Sequence, residues 1–109
     1  MKITPCLNSS WSFTSFRRCS EEFRRHLREV HGPLAKKLPG LKRYLQNFPV
    51  PDSKRKAPPW DAVIELYFEN RAEMEAAWAS PQGAASDADL PLFADLGRTS
   101  WSVVDEITP

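Results

Sequence analysis

Apolar residues recur at helical spacing in the first clearly patterned part of the chain. They follow one another at intervals of four, three and four, and they are Phe23, Leu27, Val30 and Leu34. This stripe predicts an amphipathic helix that begins after Ser20, whose side chain suits an N-cap. Gly32 and Pro33 predict an interruption just after His31, because proline lacks the N–H that a helix needs. A short further turn is expected from Pro33 to Leu38.

Three other segments alternate as strands do. The segment LKRYLQN over 41–47 follows the turn signal Pro39-Gly40, and WDAVIELYF over 60–68 is the strongest strand pattern in the chain. One face of that second segment is wholly apolar, with Ala62, Ile64, Leu66 and Phe68. The closing segment TSWSVVDEI over 99–107 is rich in β-branched and aromatic residues, so it predicts a last strand.

Two further helices are predicted between the second and third of these segments. Asn70 is a good N-cap for a helix that ends near Ser80. Ser80 with Pro81 then has the pattern of a second N-cap followed by proline at the first helical position. Pro91 predicts that this helix either breaks after Leu90 or restarts as Leu92 to Leu96, and Gly97 closes it. Residues 48–59, with four prolines and a Lys-Arg-Lys run, predict an exposed loop.

The opening segment, 1–19, has no clear pattern. It carries scattered aromatic and aliphatic residues among many Ser and Thr, so a first strand there is an expectation only. Cys6 and Cys19 have no other metal-ligand residues nearby, and two isolated thiols are more typical of reduced cysteines than of a disulfide. We therefore predict no role for them.

Composition excludes several classes of partner. Fifteen Lys and Arg balance fourteen Asp and Glu, so the net charge of +1 gives no reason to expect nucleic acid. No apolar run approaches the length of a membrane span, and we expect a cytoplasmic protein.

His26 and His31 lie five residues apart, roughly 140° around an α-helix, so they should not share the face that a metal site requires. We predict no metal and no cofactor.

The order of elements predicts one α+β domain over residues 1–109. It fits a ferredoxin-like split β-α-β unit with a four-stranded antiparallel sheet, provided that the opening contributes a strand. Helices would cover the apolar face of the 60–68 strand. Its other face still carries large groups such as Val63 and Tyr67, and two sheets packed face to face in a homodimer would cover them. The expected assembly is a dimeric α/β barrel with a partly polar cavity.

Two joined blocks carry a specific likeness. The helix SEEFRRHLREVHGPL over 20–34 and the turn and strand LPGLKRYLQN over 38–47 resemble the His-Gly-Pro and Pro-Gly-Leu blocks of the EthD-like family. WDAVIELYF, Ser80-Pro81 with Asp89, and the segment 103–106 are similar to later parts of that family. The likeness covers 20–106, and residues 1–19 depart from the compact apolar strand with which family members usually start.

The resemblance implies cofactor-independent chemistry on a small organic compound. Relatives are tied to ether degradation, lactone isomerisation and the dehydration of fungal polyketides, reactions that need proton transfer. An isomerase or lyase acting on a small apolar or carbonyl-bearing ligand is therefore the first hypothesis, although a protein without catalytic activity is equally compatible with the sequence. The alternatives are a non-catalytic accessory or ligand-carrying barrel of an oxygenase system and a cofactorless monooxygenase.

Three residues are the candidates for catalysis. His31 could serve as a general base or acid because its ordinary pKa lies near neutrality, and Tyr44 could donate to a developing oxyanion. Asp61 could orient or assist the histidine. The alternative for His31 is a structural one, in which it bonds the last carbonyls of its helix.

Four more residues are candidates for binding the ligand. Glu65 shares a strand face with Asp61, and its alternative is a salt bridge with Arg43. Tyr67 and Trp60 are aromatic residues of the same strand segment, and they are also what a half-buried wall would contain. Asn47 ends the second family-like block.

Overall fold

The computed structural model describes residues 2–3, 21–50, 52–54 and 60–109. In order, it contains strand β1 (Lys2–Ile3), helix α1 (21–35), strands β2 (Arg43–Asn47) and β3 (Ala62–Tyr67), and helices α2 (Arg71–Ala79) and α3 (Pro81–Asp89). Two 3₁₀ turns follow, at Leu90–Leu92 and Leu96–Arg98. Most of the predicted opening segment, including both cysteines, lies outside the described residues.

The sheet is antiparallel, with the strand order β1-β3-β2. β2 and β3 pair over five positions, from Arg43 opposite Tyr67 to Asn47 opposite Val63. Residues that face each other across an antiparallel pair point to the same side of the sheet. Tyr44 and Gln46 therefore share the side of Leu66 and Ile64, while Asn47 shares the opposite side with Val63.

Helix α1 covers the apolar side of the sheet, as the alternation in the 60–68 segment predicts. Phe23 and Leu27 of α1 are buried in one cluster with Ala62 and Ile64 of β3, and Leu90 and Ala94 complete it. Each of these apolar side chains contributes roughly 1.5–3 kcal/mol on full burial, alanine less. This cluster fixes α1 over the centre of the sheet.

The predicted interruption of α1 is wrong, because the helix continues through Gly32 and Pro33 to Ala35. It does so by widening into a π-helical turn over Leu27–His31, in which Gly32 N–H bonds to Leu27 O. A proline ring collides with the carbonyl four residues before it in a regular α-helix, and a wider turn moves that carbonyl away. The extra residue also shifts the buried face, so Val30 is exposed and His31 is buried.

The two predicted helices that begin after Asn70 and Ser80 are confirmed as α2 and α3. Asn70 accepts a hydrogen bond from Glu73 N, and Ser80 accepts one from Gly83 N at 3.1 Å. Ser80 thus ends one helix and caps the next, which makes the connection as short as it can be. α3 turns its small residues Gly83 and Ser86 inward, and Asp89 follows them on the same face.

The closing segment differs from its prediction as a strand. Residues 101–109 take no regular secondary structure in the single chain and are exposed throughout. The apolar residues Val104 and Ile107 are 76% and 82% exposed. A strand exists only where a neighbour completes its ladder of hydrogen bonds. The described part of the chain therefore has three strands where four were expected.

Candidate functional site

The π-helical turn brings two histidines to the same side of α1. In a regular α-helix His26 and His31 would point well apart, but five residues make roughly one turn of a π-helix. Both rings reach one carboxylate, that of Asp89 at the end of α3. His26 Nε2 lies 2.9 Å from Asp89 Oδ1, and His31 Nδ1 lies 3.0 Å from Asp89 Oδ2. The expectation that the two histidines cannot share a face is wrong for this reason.

This His26–Asp89–His31 cluster is largely shielded from water. The side chains of His31 and Asp89 are 3% and 7% exposed, whereas that of His26 is 24% exposed. Phe93 packs on both rings, stacked on His26 at 4.5 Å between centroids and tilted against His31 at 5.2 Å. Hydrogen bonds that are shielded from water in this way are stronger than the same hydrogen bonds exposed to water.

The carboxylate determines which nitrogens carry protons. A carboxylate only accepts hydrogen bonds, so a neutral His31 must carry its proton on Nδ1 and donate it to Asp89. Its Nε2 is then left with a lone pair, the form that a general base requires. Burial lowers the pKa of His31 below its ordinary value of 6.5, although the hydrogen bond and charge of Asp89 oppose that change. The neutral ring is therefore favoured at neutral pH.

The lowered pKa gives a prediction for stability. The unfolded chain binds a proton at this position more readily than the folded chain, so acid favours unfolding. As the pH falls through about 6.5 toward the folded pKa, this contribution to stability is lost, and below the folded pKa it changes no further. Urea unfolding between pH 7.5 and 5.5 should show a larger loss of stability for the native chain than for His31→Gln. Equal losses of unfolding free energy in the two proteins would contradict a lowered pKa of His31 in the folded chain.

Tyr44 lies on the helix-facing side of β2 in a second network. Gln46 Nε2 donates to Tyr44 Oη at 3.0 Å and to the carbonyl of Leu27, in the π-helical turn, at 2.8 Å. Burial raises the pKa of Tyr44, so it keeps its phenolic proton as a possible donor. Gln46 thus fixes both the strand and the tyrosine against the wide turn that carries His31.

Gly32 is needed where α1 approaches β2. A methyl group there would lie 2.9 Å from Gln46 Nε2 and 3.1 Å from Leu27 O. Gly32→Ala should displace the Gln46 amide and cost about 1 kcal/mol, more than alanine gains over glycine in a helix. In a Gln46→Ala background the same change should cost less, because only the 3.1 Å approach to Leu27 O remains. A urea-denaturation double-mutant cycle measures this difference. Equal effects of Gly32→Ala in both backgrounds would contradict the contact.

Asp61, the third catalytic candidate, is held in different surroundings. It is half-buried just before β3, where burial raises its pKa and the charges of Arg98 and Arg24 oppose that rise. Its place in the sequence puts it beside Trp60, which is also half-buried. The side-chain hydrogen bond of His31 runs to Asp89 and not to Asp61.

The remaining candidates meet on the opposite side of the sheet. Asn47 Nδ2 donates to Glu65 Oε2 at 3.0 Å, and Tyr67 Oη donates to Glu106 Oε2 at 3.0 Å while lying 3.4 Å from Glu65 Oε1. The guanidinium of Arg43 lies over the Tyr67 ring. The structure therefore brings Asn47, Glu65 and Tyr67 together, but on the face away from the His26–Asp89–His31 cluster.

Sequence reasoning missed Asp89, Gln46 and Phe93 as members of the site. One signal pointed to Asp89, because it continues the inward face of α3 that Gly83 and Ser86 begin, and a buried acid requires a partner. The role of Gln46 depends on the π-helical turn, which the spacing of apolar residues does not reveal. Phe93 lies in an irregular turn, where periodicity gives no guidance.

Two other kinds of feature are absent from the described parts of the chain. Across 21–50, 52–54 and 60–109, no three His, Cys, Asp or Glu side chains are grouped as metal ligands would be. No helix in those ranges has the length and apolar character needed to cross a membrane.

Comparison with known proteins gives consistent matches. The family model described as EthD domain matches residues 20–97. An uncharacterized 11.0 kDa protein in the thcB-thcC intergenic region of Rhodococcus erythropolis is 38% identical over 78 residues, which are 71% of this chain and 74% of that protein. The crystal structure of an ethyl tert-butyl ether d (ethd) family protein from Bacillus halodurans superposes with a TM-score of 0.62. It is 26% identical, over 68% of this chain and 73% of that one.

Proposed function

This chain belongs to the EthD domain family, and on that premise we propose that it binds a small organic compound and transfers a proton on it without a cofactor. The similar Bacillus halodurans protein belongs to a family named after ethyl tert-butyl ether, which supports a role connected with the degradation of ethers or related compounds. The proposed reaction class is isomerisation or elimination next to a carbonyl group. Such reactions require a base and a group that stabilises the developing oxyanion.

The observation that carries this proposal is the hydrogen bond from His31 Nδ1 to the buried Asp89 carboxylate. It fixes the orientation and tautomer of the ring and stabilises the imidazolium that forms when Nε2 takes a proton, as a carboxylate does for catalytic histidines generally. We propose His31 as the base. Tyr44 is the proposed donor to the substrate oxygen, with one acceptor position of its hydroxyl already filled by Gln46.

The proposed working form is a homodimer. The closing segment leaves Trp101, Val104 and Ile107 exposed in the single chain. We propose that a second copy covers them, that the closing segment completes a four-stranded sheet there, and that the two sheets form an α/β barrel. Asn47, Glu65 and Tyr67 would then face the space between the two sheets, across the sheet from His31 and Tyr44, so we propose them as interface residues rather than as contacts of the ligand that His31 deprotonates.

Native mass spectrometry of the freshly purified protein tests assembly and ligand together. The proposal expects a dimer that retains a small organic adduct. The adduct should be weakened or absent in His31→Gln, which keeps an amide donor toward Asp89. A matched control is Arg25→Gln, an exposed position on the same helix. A ligand-free monomer at micromolar concentration would overturn both the dimer and the binding site.

A second candidate function is an accessory, ligand-carrying protein for an oxygenase system. The burial of His31 favours it, because a side chain only 3% exposed can serve simply to join α1 to α3. Under this alternative His31→Gln would lower the melting temperature but leave ligand retention unchanged. Co-purification with a larger partner would support it further. Ligand retention by His31→Gln therefore distinguishes the two candidate functions.

A further inference from the structure

Gln46 joins the wide turn of α1 to the hydroxyl group of Tyr44. Its Nε2 lies 2.8 Å from Leu27 O and 3.0 Å from Tyr44 Oη. A backbone carbonyl only accepts hydrogen bonds, so the side-chain atom beside Leu27 O must be the amide nitrogen and not the amide oxygen. That nitrogen carries two hydrogens, and Leu27 O takes one of them. The other hydrogen is the one that Gln46 donates to Tyr44 Oη.

The direction of this second hydrogen bond determines what Tyr44 can do. Because Gln46 donates, the phenolic oxygen is the acceptor, and the hydrogen of the phenol remains for a different acceptor. We infer that Gln46 is a positioning residue, which holds the Tyr44 hydroxyl as an acceptor so that its O–H is left to bind the oxygen of a carbonyl compound. The inference rests on the proposed function for the identity of that oxygen.

The tyrosine ring and the amide both reach the segment of α1 that carries His31. Tyr44 and Gln46 are two positions apart on β2, so they lie on the same face of the strand. A methyl group on Gly32 would lie 3.9 Å from Tyr44 Cε1 and 2.9 Å from Gln46 Nε2. Gly32 follows His31 directly, and its lack of a side chain permits this approach. One strand thus brings the proposed donor to the segment that carries the proposed base.

The hydrogen bond from Gln46 also makes Tyr44 a stronger donor. Hydrogen bonds in a chain polarise one another, so a phenol that accepts from an amide donates more strongly to the next oxygen. Burial raises the pKa of Tyr44, and the hydrogen bond from Gln46 opposes that rise, as a donor to the phenolic oxygen should. Tyr44 therefore keeps its proton while it stabilises negative charge on the substrate oxygen. The proton taken from carbon is held by His31.

The first test needs no substrate and uses the fact that the chain has two tyrosines. NMR of the full chain with ¹³Cζ-labelled tyrosine follows the two phenols separately, and Tyr67→Phe assigns their signals. In Gln46→Met, which keeps the length of the side chain but no donor, Tyr44 should ionise at a higher pH than in the native protein. Gly32→Ala, which keeps Gln46 but displaces its amide, should raise the same pKa. Arg43→Gln, on the other face of β2, should move the signal of Tyr67 and not that of Tyr44.

The second test measures whether Gln46 acts through Tyr44. Deuterium exchange into a small carbonyl compound is compared in a double-mutant cycle of Gln46→Met and Tyr44→Phe. Gln46→Met should lower the rate at saturation about tenfold with little change in KM, a smaller loss than the roughly 10²-fold expected for Tyr44→Phe. In the Tyr44→Phe background, Gln46→Met should not lower the rate further, although it should still lower the melting temperature.

Two results would overturn the inference. Tyr44 could ionise at the same pH in the native protein, Gln46→Met and Gly32→Ala, which would mean that the amide does not donate to the phenol. Alternatively, Gln46→Met could lower the exchange rate by the same factor with and without Tyr44, which would mean that it acts through Leu27 and α1 alone. A protein that catalyses no exchange but shows the expected ionisation of Tyr44 would contradict the proposed function and support the alignment of Tyr44 by Gln46.

Discussion

Replacing Asp89 with alanine is expected to lower the free energy of unfolding by about 3 kcal/mol, because the change removes the shared partner of two histidines in a shielded position. His31 would lose its Nδ1 acceptor in surroundings that offer little water, since its side chain is 3% exposed. The small cavity left between α1 and α3 adds to the cost. Urea denaturation at pH 7.5 measures it.

The matched control for this prediction is Asp87→Ala. Asp87 lies two residues earlier on α3 and is exposed, and it acts on His31 only through its charge. Its removal should change stability by no more than about 0.5 kcal/mol. If Asp89→Ala cost no more than Asp87→Ala, the cluster would not be the contact that joins α1 to α3.

Replacing Gly83 with alanine is expected to be at least as damaging, by about 3 kcal/mol or more, although alanine is the better helix former. A methyl group at Gly83 would lie 2.5 Å from Ala77 O and 2.6 Å from Trp78 O. Both are backbone atoms at the end of α2, so neither can rotate away as a side chain could. The corner between α2 and α3 would have to open, and Asp89 would move with α3. A thermal melt followed by circular dichroism measures the loss.

Gly97→Ala is the control for the loss of a glycine as such. The nearest atom to a methyl group there is Asp95 Oδ1, at 3.3 Å, which belongs to a side chain that can move. We expect a change within about 0.5 kcal/mol. Similar melting temperatures for Gly83→Ala and the native chain would mean that the two helices do not meet as closely as described.

The sequence predicts well those features that depend on neighbours along the chain. Asn70 and Ser80 cap helices because the side-chain oxygen and the free N–H groups lie within three residues of each other. The inward face of β3 follows from simple alternation. The turn at Gly40 follows from a glycine with a φ of 76°, a conformation that other residues rarely adopt.

The features that the sequence does not predict depend on contacts between distant segments. The π-helical turn changes which residues of α1 face inward, so a periodicity of 3.6 places Val30 inside and separates His26 from His31. Asp89 meets these histidines from 58 and 63 residues away along the chain. The closing segment has a strand composition, but composition alone supplies no neighbour with which to pair.

Solvent deuterium exchange tests the proton-transfer function most directly, because it requires a site that moves protons and no knowledge of the final product. The protein is incubated in D₂O with a panel of small carbonyl compounds, and NMR follows deuterium uptake at the carbon beside the carbonyl group. The proposed function predicts accelerated exchange for at least one compound and a loss of roughly 10²-fold or more in His31→Gln, with Arg25→Gln unaffected. Exchange that is equal in the native protein and His31→Gln would contradict His31 as the base.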